Sequence, residues 1–515
     1  MARSFFHSQC PLRDNRKITR LILKKGGSHI LTTTHDHYHG SDLLPELNRL
    51  PQSTGHIHLM GICGTGMASL AGILKQKGYN VTGSDQDVYP PMSLFLEKLS
   101  IPVLTGYRPE NLTPRPDLVI VGNVITRVNP EAVELSRIKA PYLSFPQALK
   151  HFAFKGKQPV VICGTHGKTT TSSLAAWVLD VAGEDPGFMI GGIPINFQAN
   201  FKLGNGLHFV IEGDEYDTAF FDKGPKFLHY DPWVAILTSI EFDHADIYRD
   251  LNHVIENFRK LIMLMQPDGF LIANMDDPVI AAEAGAARCP VISYGLSEKA
   301  RFTADNIFMQ EGLTHLTVLK DGKKHMNLAT TLYGRHNISN LLSVVVLADL
   351  LGLSSKTVSE ALHTFAGIKR RQEVIGERHD VIILDDFAHH PTAVKETISA
   401  VRQRYKDHRL IAVFEPRPNS SRRNIFQDQY ARSFYGADIV MIPEPPLMEK
   451  IPQEDRFSSK KLVEDLKGNG LKAHYFPDTA QLLEAMVKES RPHDIFLIMS
   501  NGGFDNIHRR LLERL

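Results

Sequence analysis

Short runs rich in Val, Ile and Leu recur along this chain, each closed by a glycine-rich or acidic turn and separated by helix-length segments. A first series occupies 56–60, 118–121, 159–163, 208–211, 233–237, 269–273 and 290–294. A second occupies 380–384, 409–414, 437–442 and 494–499. Such a run reads as a buried parallel strand, and the segment after it as a crossover helix. The series predicts an α/β chain, doubly wound and repeated more than once. At 515 residues the chain is too long for one ordinary core. About three domains fit, at roughly 150 residues each. Connectors at 150–158 and 366–371 suggest divisions at 56–150, 151–368 and 369–515, with 1–55 as an N-terminal extension.

That extension holds few apolar runs, a short amphipathic stretch at 18–23, and a patch of His29, His35, His37 and His39. Metal binding by the patch is one reading; a solvated extension is the favoured one.

Composition removes several classes. Lys and Arg total 58 against 57 Asp and Glu, a net charge of +1. A globally basic nucleic-acid binder is thereby excluded, though a local pocket for an anionic small molecule is not. Cys10, Cys63, Cys163 and Cys289 show no CxxC spacing, against a zinc knuckle or disulfide scaffold and in keeping with a reducing compartment. The first twenty residues lack the apolar core of a secretory signal, and no stretch of about 18 apolar residues spans a membrane. The expectation is a soluble, cytoplasmic protein.

Two glycine loops follow strands. Gly61-Ile62-Cys63-Gly64-Thr65-Gly66-Met67 follows the first run and opens an apolar helix. Its glycines admit a phosphate close to the backbone, and the helix start supplies N–H donors. Ser84 and Asp85 end the next strand, where an acid accepts from a sugar hydroxyl. The spacing is G-x-x-G-x-G, not the dinucleotide G-x-G-x-x-G. A ligand-free tight turn and a nicotinamide cofactor both stay open. The second loop, Gly164-Thr165-His166-Gly167-Lys168-Thr169, sits between a strand and a helix. That is the context of a phosphate loop: backbone N–H groups cradle phosphates, Lys168 reaches the β/γ oxygens, and the Thr169 hydroxyl holds Mg²⁺. Ile162 stands where the longer Walker loop has its first glycine.

Polar clusters fall at later strand ends, the rim where α/β sheets collect ligands. Glu212-Gly213-Asp214-Glu215-Tyr216-Asp217 ends one strand and Glu241-Phe242-Asp243-His244 follows another. Glu212 suits a magnesium ion on phosphates, and His244 a second metal position. Asn337 and Asn340, three apart on one helical face, are placed to read adenine or to cap a helix. Arg371 lies at the proposed hinge, where domain closure brings it toward a γ-phosphate. Asp385-Asp386-Phe387-Ala388-His389-His390-Pro391 and Phe414-Glu415-Pro416-Arg417-Pro418-Asn419 end two strands of the last series. They supply acid, imidazole and guanidinium groups for a carboxylate-bearing amine.

Taken in order, G-I-C-G-T-G-M, G-T-H-G-K-T-T, E-G-D-E-Y-D, F-D-H, G-R-H-N-I-S-N, R-R-Q-E and D-D-F-A-H-H-P resemble the Mur ligase family, ATP-dependent amide-bond enzymes of bacterial cell-wall synthesis. The match runs from His56 almost to the end of the chain. It implies a Rossmann-like N-terminal domain, a central domain with a P-loop ATPase-type parallel sheet, and a Rossmann-like C-terminal domain. It implies ATP and Mg²⁺ as cofactors and an acyl phosphate as intermediate. Lys168, Arg371, Asp386 and His389 become the catalytic set, with Gly164, Thr165, His166, Gly167, Lys168, Thr169, Asn337 and Asn340 around the nucleotide. Thr169, Glu212 and His244 become the metal ligands. Gly61, Gly64, Thr65, Gly66, Met67, Ser84 and Asp85 would take the sugar nucleotide, and Arg417 and Asn419 the acceptor. Phe258 occupies the position where several members carry a carbamylated lysine.

D-D-F-A-H-H-P and F-E-P-R-P-N are similar to the branch that joins UDP-N-acetylmuramate to the murein tripeptide L-alanyl-γ-D-glutamyl-meso-diaminopimelate in peptidoglycan recycling. The alternative is the branch that takes free L-alanine. Folylpolyglutamate synthetase lacks the N-terminal sugar-nucleotide domain, so 56–150 weighs against it. A dehydrogenase has no use for the second loop. A nucleotide sensor has none for both acidic clusters. The oligomeric state is not readable from the sequence.

Overall fold

The structure, a computed structural model, describes residues 42–88 and 92–515. Cys10, the histidines at 29–39, the stretch 18–23 and residues 89–91 lie outside the described residues. Three large sheets organise the rest, giving the three-domain α/β fold.

The first sheet is wholly parallel, in the order Val103–Thr105, Asn80–Asp85, His56–Met60, Leu118–Val121, Tyr142–Ser144. Chain order reverses direction between His56–Met60 and Leu118–Val121, which leaves a crevice at their carboxyl ends. The 61–67 turn opens there. Helix Thr65–Gln76 buries Leu70, Ile73 and Leu74 against the sheet. Residues from 42 onward belong to this lobe. Leu43 and Leu47 pack on its core, and Asn48 and Gln147 exchange side-chain hydrogen bonds at 3.0 and 2.8 Å. The expected solvated extension therefore does not reach 55. Two apolar anchors in an otherwise polar segment were too few to give it a periodic pattern.

The central sheet has ten strands. Its middle is parallel: Val291–Tyr294, Phe270–Asn274, Val234–Leu237, Gln158–Cys163, His208–Gly213 and Gly187–Met189. Apart from the partly exposed Val291–Tyr294 these strands are covered on both faces, and Val160, Val210, Val234 and Ile236 are fully buried. The edges differ from the expected parallel sheet. Phe302–Gln310, Leu313–Lys320 and Lys323–Thr330 form an antiparallel meander, and Phe201–Lys202 pairs antiparallel with Gly187–Met189. An edge meander is wetted on one face, so its apolar residues alternate and form no run. Helix Lys168–Val181 packs on Arg335–Leu350 and Ser355–Thr364, and Trp177 Nε1 donates to the Ala361 carbonyl at 3.0 Å.

The third sheet runs Glu373–Arg378, Val381–Asp386, Asp494–Met499, Arg409–Phe414, Ile439–Pro443, Lys472–Phe476. Only the first strand is antiparallel. Val381–Asp386 and Arg409–Phe414 flank one common strand, so their ends share a rim, as expected. Among the described residues no helix is long and apolar enough to cross a membrane.

Candidate active site

The phosphate loop is fixed by glycine geometry. Gly164 has φ +141°, and a Cβ there would lie 2.2 Å from Thr238 Oγ1. Gly167, the residue before helix Lys168–Val181, has φ +82°, and its Cβ would lie 2.4 Å from Asn340 Oδ1. Both conformations favour glycine. The next parallel strand rivets the loop: Thr165 N donates to Ser239 O (2.9 Å), His166 N to Ser239 Oγ (3.0 Å), and Glu241 N to Thr165 Oγ1 (2.8 Å). Asn340 thus packs against the loop itself. Asn337 Nδ2 donates to the Tyr333 carbonyl at 2.9 Å and to Gln372 at 3.3 Å, beside the hinge.

Lys168 is buried, and its ammonium donates to the Gly164 carbonyl and to Glu215 Oε2 at 2.9 Å. Burial pushes the Glu215 carboxyl up, but Lys168 and His244 outweigh it and hold it down at about 2. Thr169 Oγ1 donates to Glu212 Oε2 at 3.2 Å, and Gly191 N donates to Glu212 Oε1 at 2.6 Å. Burial raises the Glu212 carboxyl above its ordinary range, and Asp214 adds to the effect. His244 Nε2 lies 3.5 Å from Glu215 Oε1 and 3.7 Å from Asp243 Oδ2. Those acids raise its pKa against the opposing effect of burial. Two of the expected metal ligands, Thr169 and Glu212, are therefore in contact, while His244 is joined to Lys168 through Glu215. Phe258 is fully buried on helix Leu251–Leu264, its ring 5.3 Å from that of Phe227.

The C-terminal lobe reaches the same rim. Arg371 Nη2 comes within 3.5 Å of Thr169 Oγ1, and its guanidinium lies 4.5 Å from the Phe387 ring centre. Asp386 is buried and accepts from Gln372 N (2.8 Å) and Ala388 N (2.7 Å), so it locks the hinge next to Arg371. His389 contacts the Phe387 carbonyl at 3.0 Å and stands 4.0 Å from Asp243; burial lowers its pKa.

A cleft of about 410 Å³ joins the three lobes. Asn123 comes from the first, Tyr216 and His244 from the second, and Arg417, Asn419 and Arg422 from the third. Arg417 lies 3.5 Å from Glu415, and Arg422 donates to Asn419 Oδ1 at 2.9 Å. Glu215 and Arg422 escaped the sequence reading. Each is one of two adjacent like charges, Asp214-Glu215 and Arg422-Arg423, and spacing does not say which of them turns inward.

In the first lobe Gly64 and Thr65 are exposed on the turn, Gly66 packs near the Phe145 ring, and Met67 is buried beneath. Gly61 N donates to the Ser84 carbonyl at 2.8 Å, and Cys63 N to Asp85 Oδ2 at 2.8 Å. Ser84 corrects an expectation. It is fully buried and its hydroxyl donates to Glu131 Oε2 at 2.6 Å, so its side chain braces the turn from below and offers nothing outward.

Comparison with known proteins bears on this arrangement directly. Residues 56–155 match the Mur ligase family catalytic domain, 162–348 the Mur ligase middle domain, and 370–502 the Mur ligase glutamate ligase domain. The chain is 40% identical over 460 residues to the UDP-N-acetylmuramate–L-alanyl-γ-D-glutamyl-meso-2,6-diaminoheptandioate ligase of Escherichia coli strain K12, covering 89% of this chain and 98% of that one. The chain belongs to the Mur ligase family. This Mur ligase is also 32% identical over 455 residues to the UDP-N-acetylmuramate–L-alanine ligase of Acetivibrio thermocellus, covering 88% of this chain and 94% of that one. Its fold matches a solved murein peptide ligase from Psychrobacter arcticus 273-4 with a TM-score of 0.67 and 34% identity, over 89% of this chain and 98% of that one. As a Mur ligase it carries its phosphate loop in the stretch matched by the family's middle domain.

Proposed function

We propose that this chain joins the carboxylate of UDP-N-acetylmuramate to the amine of the murein tripeptide L-alanyl-γ-D-glutamyl-meso-diaminopimelate, with ATP and Mg²⁺, in the cytoplasmic recycling of peptidoglycan. The lobes then divide the work: 56–150 holds the sugar nucleotide, 151–368 ATP, and 369–515 the acceptor. The observation that carries the tripeptide reading is the 40% identity to the Escherichia coli enzyme over nearly its whole length. Arg417 and Arg422 on the cleft wall support it, since guanidinium groups suit an acceptor bearing several carboxylates.

The donor set fits magnesium. A hydroxyl and a carboxylate are hard oxygen ligands, and a carboxyl kept above its usual range by burial is one that a cation would return to its ionised form. ATP supplies the phosphoryl group that turns the sugar carboxylate into an acyl phosphate, Mg²⁺ neutralises the phosphate charge, and the amine displaces phosphate. Lys168 and the backbone N–H groups of 164–169 bind and orient the phosphates. Thr169 and Glu212 hold the first metal position and His244 the second. Arg371, which reaches Thr169, would face the γ-phosphate, while Asp386 fixes the hinge that carries it. Asn340 props the loop, and Asn337 would contact the adenine. Gly61, Gly64, Thr65, Gly66 and Asp85 shape the turn for the sugar nucleotide's phosphates. Arg417 and Asn419 orient the tripeptide. His389, neutral by burial, accepts the proton of the attacking amine. Closure of the lobes places the reacting groups together and excludes water.

Phosphate release measured with UDP-N-acetylmuramate and ATP, and with either the tripeptide or free L-alanine, tests the reading. Turnover with the tripeptide supports it; turnover with L-alanine alone overturns it in favour of the alanine-ligase activity.

A further inference from the structure

His166, Glu241 and His390 are far apart in the sequence and meet in space, with one ligand-type atom from each within 4.8 Å of the others. His166 belongs to the phosphate loop. Glu241 follows strand Val234–Leu237, and His390 caps helix Pro391–Arg404 in the C-terminal lobe. The proposed ligation reaction gives metal ligation to Thr169, Glu212 and His244 and uses His166 through its backbone N–H, which leaves these three side chains without an assigned metal.

Hydrogen bonds fix how the His390 imidazole points. His390 Nε2 is 3.3 Å from the Phe242 carbonyl, a contact that puts the proton on Nε2. Its Nδ1 carries the lone pair and accepts from Thr392 N across a long 3.3 Å, a bond it would give up to hold an ion, and it lies 3.5 Å from Glu241 Oε2. His166 Nε2 is buried with no hydrogen-bond partner, 3.4 Å from the same carboxylate oxygen. Glu241 Oε2 is oriented by Thr392 Oγ1 at 2.7 Å. Burial, aided by His166, keeps the His390 imidazole down at about 4, so it is neutral near pH 7. Two imidazole nitrogens and one carboxylate oxygen therefore converge on a small volume. An imidazole N–H held by a carbonyl and a carboxylate held by a hydroxyl are the outer contacts that orient metal ligands.

The geometry points to a binding site for a borderline divalent cation of the Zn²⁺ or Co²⁺ class, held by His166, Glu241 and His390. Nitrogen-rich donors select this class over Mg²⁺. One ligand belongs to the phosphate loop and another to the C-terminal lobe, so an ion here ties the lobe to the loop.

The test is calorimetric titration of the metal-free, untagged full chain with zinc chloride, in excess Mg²⁺ and without nucleotide or sugar substrate. It is therefore independent of the acceptor reading. All samples carry His29→Asn, His35→Asn, His37→Asn and His39→Asn, which removes the N-terminal patch as a competitor. One zinc equivalent is expected in this background. His390→Asn should remove it or weaken it at least tenfold. Thr392→Val, which keeps all three ligands, should weaken it by about 10- to 100-fold. Cobalt in place of zinc should give a visible absorption band that His390→Asn abolishes. Equal zinc binding with and without His390→Asn and Thr392→Val overturns the site. So does loss of binding on Glu212→Gln or His244→Asn alone, which would place the ion at the nucleotide.

Discussion

The Lys168 ammonium donates to the Glu215 carboxylate across 2.9 Å, and both side chains are almost wholly buried. The cation of the phosphate loop is therefore held by an acid that follows the neighbouring strand, and that acid also faces His244. Glu215 sets where the lysine charge sits.

Glu215→Gln leaves the buried ammonium without its ionic partner. Breaking such a pair costs about 3–5 kcal/mol. Urea unfolding at neutral pH should show a loss of that size. The pH dependence gives a second reading. The Glu215 carboxyl is at about 2 in the fold against 4.5 for an ordinary glutamate. Its stabilisation is complete above pH 4.5 and is lost as pH falls toward 2, because the unfolded chain takes up the proton first. Glu215→Gln should flatten the stability profile in that window.

Gly164→Ala and Gly167→Ala should differ. An added Cβ at 164 meets the Thr238 hydroxyl at 2.2 Å and Ser239 backbone atoms at 2.8 and 2.9 Å, which cannot swing away. At 167 it meets the end of the Asn340 side chain, which can, though φ stays strained. Gly164→Ala should lose more melting temperature and abolish binding of a fluorescent ATP analogue. Gly167→Ala should weaken that binding and retain part of it.

The phosphate loop and the acids at strand ends were legible because the carboxyl end of a parallel strand fixes where the next few residues lie. Placing Glu212 and His244 on that rim needed only this rule. The 302–330 meander was not legible, because its apolar residues alternate. Ser84 was misread because a serine at a strand end looks the same whether its hydroxyl meets a ligand or a buried acid such as Glu131. The meeting of His166 with His390 depends on how one lobe sits on another, which no local pattern encodes.

Asp386→Ala removes the acceptor for two backbone N–H groups, those of Gln372 and Ala388. Unpaired donors of this kind cost about 1–3 kcal/mol. Chemical denaturation should show that loss. Turnover should fall further than the KM for ATP rises, since Arg371 adjoins Gln372. Asp386→Asn, which keeps one acceptor oxygen, should recover part of both.

The proposed acceptor cleft around Arg417 and Arg422 should take a peptide with several carboxylates. The most direct measurement is a competition. Equal concentrations of L-alanine and the murein tripeptide are offered with UDP-N-acetylmuramate and ATP, and the products are counted by mass spectrometry. The UDP-N-acetylmuramoyl tripeptide should dominate, and Arg417→Ala should shrink its share. A product mixture dominated by UDP-N-acetylmuramoyl-L-alanine would contradict the tripeptide reading.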